Sequence, residues 1–188
     1  MPSGRHLSSS LARYVENGEM VQRILEVGPG TGPVTRVIAK RMGPNDQLDL
    51  VELNGSFAEC LRKEMDGDGF LHKMADRTRV LEMPVEQLDG EKQYDVIISG
   101  LPLNNFPVDS VMQILGAFRE LVAPGGTISF FEYVAIRRAK ALVSGASTRE
   151  RLRGISRVLG DFLGQHEIRR DGIWTNVPPA WVHHVRVS

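Results

Sequence analysis

Hydrophobic and polar positions alternate between two periods along this chain. Five times a short aliphatic run, rich in β-branched residues, gives way to turn residues and then to apolar residues at helical spacing. The runs Ile24–Val27, Gln47–Val51, Thr78–Met83, Tyr94–Ile98 and Thr127–Glu132 predict strands. Tyr94–Ile98 is uninterrupted, as a parallel strand buried on both faces would be. Between them, Val34–Met42 and Ser56–Met65 read as helices, and Asp109 is placed to cap a third that runs to Leu121 and stops at Ala123-Pro124-Gly125-Gly126. Ahead of the first strand, Leu7, Leu11 and Val15 predict a short amphipathic helix closed by Asn17-Gly18. Glu167–Val187 reads as two strands joined by Asn176-Val177-Pro178-Pro179. Strand and helix alternating in this way predict an α/β fold, a doubly wound, mostly parallel sheet.

A length of 188 residues with 41% hydrophobic content suits one domain over residues 1–188, with an N-terminal helix at 1–18 lying over the ligand cleft and a basic helical segment at 134–163. Lys and Arg (23) balance Asp and Glu (23), so the whole molecule lacks the basic body of a general nucleic-acid binder and any anion must be met locally. A single cysteine, Cys60, excludes an internal disulfide and suits a reducing cytoplasm; its helix-like run makes it a candidate for buried filler. No stretch approaches the roughly 20 apolar residues that span a bilayer, and no basic-then-apolar leader opens the chain. Asp66-Gly67-Asp68-Gly69 lacks the later acids of a calcium loop and reads as a surface turn. His183 and His184 fall on opposite faces of a strand, which suits no metal.

The chemistry concentrates in Ile24-Leu25-Glu26-Val27-Gly28-Pro29-Gly30-Thr31-Gly32, with Glu52 and Leu53 about twenty residues on. A strand enters a glycine turn and a helix leaves it, and Glu52, at the carboxyl end of the next strand, can accept from both hydroxyls of a ribose. The spacing is G-x-G-x-G, with Pro33 where a dinucleotide fingerprint has its third glycine. Glu26 beside the turn repels a pyrophosphate but attracts an ammonium or a sulfonium. S-adenosylmethionine carries both cations and no phosphate.

Glu26-Val27-Gly28-Pro29-Gly30-Thr31-Gly32 with Glu52 resembles the first two motifs of the class I S-adenosylmethionine-dependent methyltransferases. That resemblance implies a seven-stranded Rossmann-like sheet with an antiparallel C-terminal strand, and S-adenosylhomocysteine as product. It also implies that Pro84, Val85 and Glu86 border the adenine ring, with Pro84 where an acid is common. The turn Ser99-Gly100-Leu101-Pro102 lies where amino-methyltransferases offer oxygens to the acceptor nitrogen. Together with Pro2-Ser3-Gly4-Arg5 and Asn176-Val177-Pro178-Pro179-Ala180-Trp181-Val182, this form resembles the bacterial phospholipid N-methyltransferases, relatives of the ribosomal RNA adenine dimethylases. The implied acceptor is an aminolipid amine facing Ser99, the Gly100 carbonyl and Leu101, with Tyr133 a further oxygen and Ser3 folding over the cofactor.

Arg137, Arg138, Lys140, Arg149, Arg151, Arg153 and Arg157 crowd one segment against little acid. Leu152, Ile155, Leu159 and Phe162 keep helical spacing on one side, and Arg149, Arg153 and Arg157 recur every fourth residue on another. Such a stripe is a solvated face or a surface for lipid phosphates. The sequence thus favours an aminolipid N-methyltransferase at an anionic membrane surface, with no stable nucleic-acid partner. An RNA or small-molecule methyltransferase of the same fold, and a non-catalytic cofactor-binding subunit, are the alternatives.

Overall fold

A computed structural model describes residues 4–134 and 146–187. Its centre is a seven-stranded sheet in the order β3-β2-β1-β4-β5-β7-β6. The strands are β1 (Arg23–Val27), β2 (Gln47–Val51), β3 (Thr78–Leu81), β4 (Tyr94–Ser99), β5 (Val122–Tyr133), β6 (Glu167–Ile173) and β7 (Ala180–Arg186). The first five pair in parallel, and β7 runs antiparallel to both β5 and β6. The chain reverses direction between β3 and β4, so β1 and β4 lie side by side and their carboxyl ends open a crevice, the usual ligand position in an open α/β sheet.

Both faces of the sheet are covered, which is why its strands read as nearly continuous apolar runs. On one face α1 (Arg5–Leu11), α2 (Thr35–Arg41) and α3 (Gly55–Asp66) bury Leu7, Leu11, Ile38 and Leu61 against Ile24, Leu48 and Ile98. On the other, α4 (Val108–Leu121) and α5 (Ala146–His166) bury Phe118, Ile155 and Leu159 against Leu25, Ile97 and Phe130. Beneath the crevice, buried Asp49 on β2 accepts from Arg79 of β3 (2.7 and 2.5 Å) and from the Tyr94 hydroxyl of β4 (2.7 Å). One carboxylate thereby ties three strands together; it holds the Arg79 guanidinium protonated well above its ordinary range, and burial, helped by the bond to Asp49, does the same for the Tyr94 hydroxyl.

The elements differ from expectation in particular places. The first helix stops at Leu11 rather than at Asn17, because side chains claim the carbonyls beyond it: Arg41 donates to Ala12 (2.6 Å) and Gln22 to Tyr14 (3.1 Å). Val15 is still buried, but from a turn. Asp109 does not cap α4; Pro107 occupies the cap position in an extended conformation, and Asp109 sits in the first turn. Cys60 is exposed, since the buried stripe of α3 runs through Ala58 and Leu61 and Cys60 lies off it. Arg149, Arg153 and Arg157 are exposed on α5, opposite buried Leu152, Ile155, Leu159 and Phe162. Ser3, Arg137, Arg138 and Lys140 lie outside the described residues. Among the described residues no helix is long and apolar enough to cross a membrane.

Candidate functional site

A cleft of about 580 Å³ opens at the carboxyl ends of β1 and β2. Gly28, Glu52, Leu53, Pro84, Val85, Glu86 and Leu101 line it, and each of these was expected at the site. Its remaining wall comes from Asn54, Met83, Phe106, Ser110 and Ile114, among others. Ser110 and Ile114, four residues apart, lie on one face of α4, and that spacing is the signal the sequence held for them, while Phe106 sits in the extended segment just before the helix. Asn54 was equally visible as the cap of α3, whose side chain accepts from the Ser56 and Phe57 amides.

The glycine turn is built by positive φ values. Gly28 has φ +72°, and a Cβ there would come within 2.5 Å of the Leu101 side chain. Gly30 has φ +57°, and a Cβ there would meet nothing within 4 Å. The first glycine is therefore required both by its conformation and by the close approach of Leu101, the second by conformation alone. Glu52 fastens this turn: one carboxylate oxygen accepts from the Gly30 amide (2.9 Å) and the other from the Asn54 amide (2.9 Å). Each oxygen keeps a further lone pair. Pro29 is buried and Thr31 is exposed on the turn, and the Gly32 amide closes it on the Pro29 carbonyl (2.9 Å).

The turn after β4 stacks against the glycine turn. The Gly100 amide donates to the Val27 carbonyl (2.8 Å), and a Cβ on Gly100 would lie 2.6 Å from the Gly28 carbonyl oxygen. Ser99 is fully buried, and its hydroxyl accepts from the Leu101 amide (3.3 Å). Its hydroxyl thus shapes the turn, while Leu101 forms the cleft wall. Arg151 of α5 donates to the Asn104 and Phe106 carbonyls (3.1 and 2.9 Å) and so steadies the segment that follows. Tyr133 stands apart from the cleft lining, half-buried at the end of β5 opposite Ala180, and burial raises its hydroxyl above the ordinary range.

Glu26 is the site's electrostatic anomaly. It is fully buried beside Thr35, and its carboxylate oxygens make no hydrogen bond of good geometry. Burial pushes its pKa up to about 8; nearby Thr35 pulls it partly back, and the Glu52 charge pushes it further up. A fully buried acid so weakly satisfied, two residues ahead of the turn, suits a ligand that brings positive charge. Together with the open face of Gly30 and the spare lone pairs of Glu52, it fits the amino-acid and ribose ends of S-adenosylmethionine and not a pyrophosphate.

Residues 24–126 match the methyltransferase domain family. The chain is 32% identical over 130 residues to the ornithine lipid N-methyltransferase of Singulisphaera acidiphila, covering 68% of this chain and 66% of that one. It is 28% identical over 126 residues to malonyl-[acyl-carrier protein] O-methyltransferase 1 of Ilyobacter polytropus, covering 67% of this chain and 43% of the other. The chain thus spans just under two thirds of the first relative and less than half of the second. Its fold is similar to that of the O-methyltransferase TomG from Streptomyces achromogenes, solved in complex with SAM, at a TM-score of 0.63 and 17% identity over 97% of this chain and 78% of that one.

Proposed function

Because the chain belongs to the methyltransferase domain family and is S-adenosylmethionine-dependent, we propose that its acceptor is the amine of an aminolipid headgroup. The observation that carries this reading is the Ser99-Gly100-Leu101 turn seated on the glycine turn, in a chain similar to an ornithine lipid N-methyltransferase. When bound, the cofactor supplies an electrophilic methyl group that needs no further activation. The protein's tasks are to align the acceptor and to present it uncharged.

A lipid amine with a pKa near 10.4 is protonated at pH 7.4, and removing that proton costs on the order of 4 kcal/mol at about 1.4 per pH unit. The Gly100 carbonyl and the Ser99 turn offer neutral oxygens beside the apolar side chains of Leu101 and Phe106, an environment that favours the neutral amine. No acid lies at Pro84, so adenine is read there by shape and by the backbone at Val85 and Glu86. Glu26 and Glu52 take the cationic and ribose ends of the cofactor. Arg149, Arg153 and Arg157 meet lipid phosphates, each contributing about 1 kcal/mol near an anionic surface.

The test supplies purified protein with methyl-labelled S-adenosylmethionine. It is offered anionic vesicles containing phosphatidylethanolamine or ornithine lipid, ribosomal RNA, and soluble amines. Label is expected in vesicle lipid alone. Label confined to RNA or to a soluble acceptor overturns the lipid assignment, and label nowhere indicates a binding subunit.

A further inference from the structure

The loop between β6 and β7, residues 174–179, carries apolar side chains into solvent: Trp174 is 61% exposed and Val177 76%. It is not a loose loop. The Gly4 amide donates to the Asn176 side chain (3.3 Å), the Thr175 hydroxyl and the His6 ring share a hydrogen bond (3.1 Å), and the Val134 amide donates to the Pro179 carbonyl (2.9 Å). Trp174 meets the partly buried Trp181 edge to face at 5.0 Å, which fixes its direction while leaving most of it in water. Holding a large apolar ring outward on a braced loop is unfavourable in water alone and calls for a partner.

The loop stands on the same edge of the sheet as the cleft, toward its β6 end. Ile98 of β4 is level with Ser129 of β5, and β5 runs four residues further to Tyr133, which pairs with Ala180 at the end of the loop. At about 3.3 Å per residue the loop rises roughly 13 Å beyond the level of Ile98, on the side where the crevice opens. Two guanidiniums flank it. Arg170 lies over the Trp181 ring at 4.9 Å and Arg5 is exposed at the start of α1, and neither pairs with a carboxylate among the described residues. Nearby Asp171 is already held by Ser10, Arg13 and Arg169. The local charge is therefore positive, and a tryptophan beside unpaired arginines matches the boundary between lipid headgroups and acyl chains.

We propose that the β6–β7 loop is a membrane-insertion element. Trp174 and Val177 enter the interfacial layer of an anionic bilayer while Arg5 and Arg170 meet its phosphates, and this holds the cleft mouth against the headgroups. The proposal rests on the aminolipid reading of that cleft, and its test separates the two. The chain has two tryptophans, Trp174 and Trp181, so Trp181→Phe leaves Trp174 as the only indole fluorophore.

That variant is mixed with vesicles of phosphatidylglycerol and phosphatidylcholine, which contain no methyl acceptor. Its emission is expected to shift to the blue and to be quenched by brominated acyl chains. Trp174→Ser combined with Val177→Ser is expected to lower sedimentation with these vesicles by about tenfold, and to lower methylation of bilayer lipid comparably. Methylation of a short-chain, monomeric aminolipid should stay unchanged, and the thermal midpoint should fall only slightly, since Val177 is exposed and Trp174 gives up its edge-to-face contact with Trp181. Sedimentation with unaltered Trp174 emission would place the contact on another face and overturn the proposal, as would no sedimentation. Insertion without methylation of any lipid would sink the aminolipid reading and leave the insertion loop standing.

Discussion

Glu26 is placed to couple cofactor binding to a proton. With its pKa raised to about 8, the acid is mainly neutral at pH 7 in the free protein, and a cation brought beside it favours the ionised form. S-adenosylhomocysteine binding is therefore expected to release close to one proton at pH 6.5, and to tighten as pH rises toward 8. Calorimetry in two buffers of different ionisation heat measures the release. Glu26→Gln should abolish it and weaken binding about tenfold; equal heats in both buffers would remove Glu26 from the cation's surroundings. His184 acts on stability instead. It is fully buried on β7, its ring shares a hydrogen bond with the Ser129 hydroxyl (2.8 Å), and burial pushes its pKa down to about 4, with Asp171 opposing less strongly. An unfolded histidine takes up its proton near 6.5, so this group's stabilisation is complete above that pH and is lost as pH falls toward 4. The loss is up to about 3 kcal/mol at roughly 1.4 per unit. Denaturant titrations at pH 7 and pH 4.5 should show the stability gap between wild type and His184→Gln narrowing at the lower pH. Neither behaviour was legible in the sequence. A motif places Glu26 beside a turn, but only packing shows how fully it is buried and how weakly it is satisfied; two adjacent histidines give no sign that one strand buries both.

Elements were legible where local preference and burial agree. The five parallel strands, the glycine turn and the two apolar helix stripes follow from period and β-branching alone. Boundaries failed where a distant side chain intervened, as when Arg41 and Gln22 end α1, or where Pro107 takes the cap that Asp109 was expected to provide. The contact between Gly28 and Leu101 gives a test at this scale. Gly28→Ala adds a methyl group at positive φ against the Leu101 side chain, and should cost roughly 1–3 kcal/mol of stability and most cofactor affinity. Adding Leu101→Ala should recover part of the stability, because it relieves the clash but not the backbone strain. Thermal unfolding of the single and double variants measures both. The carboxylate tying β2, β3 and β4 gives another. Asp49→Ala leaves the Tyr94 hydroxyl buried without its acceptor and should destabilise by about 2–4 kcal/mol, read by denaturant midpoint.

For the molecule as a whole, the carboxyl edge of the sheet gathers the working parts. α5 ends at His166 directly before β6, whose first residue pairs with Val185 at the far edge, so its 21 residues begin back at the cleft edge. Arg149 and Arg153 in its opening turns consequently share a side with the β6–β7 loop. Replacing Arg149, Arg153 and Arg157 together by Gln should weaken association with anionic vesicles by ten- to a hundredfold at low salt, and progressively less as ionic strength rises. Activity on a monomeric acceptor should hold. Sedimentation across a salt series decides it, and an unchanged salt response would mark the stripe as a solvated face. The charge-neutral composition concealed this asymmetry, because it reports totals and not which edge the arginines reach. Glu52, finally, bonds the Gly30 and Asn54 amides at once, so the glycine turn and the start of α3 are tied to each other through one side chain. A substitution that loosens either partner should therefore be felt at both, at the glycine turn and at the first turn of that helix.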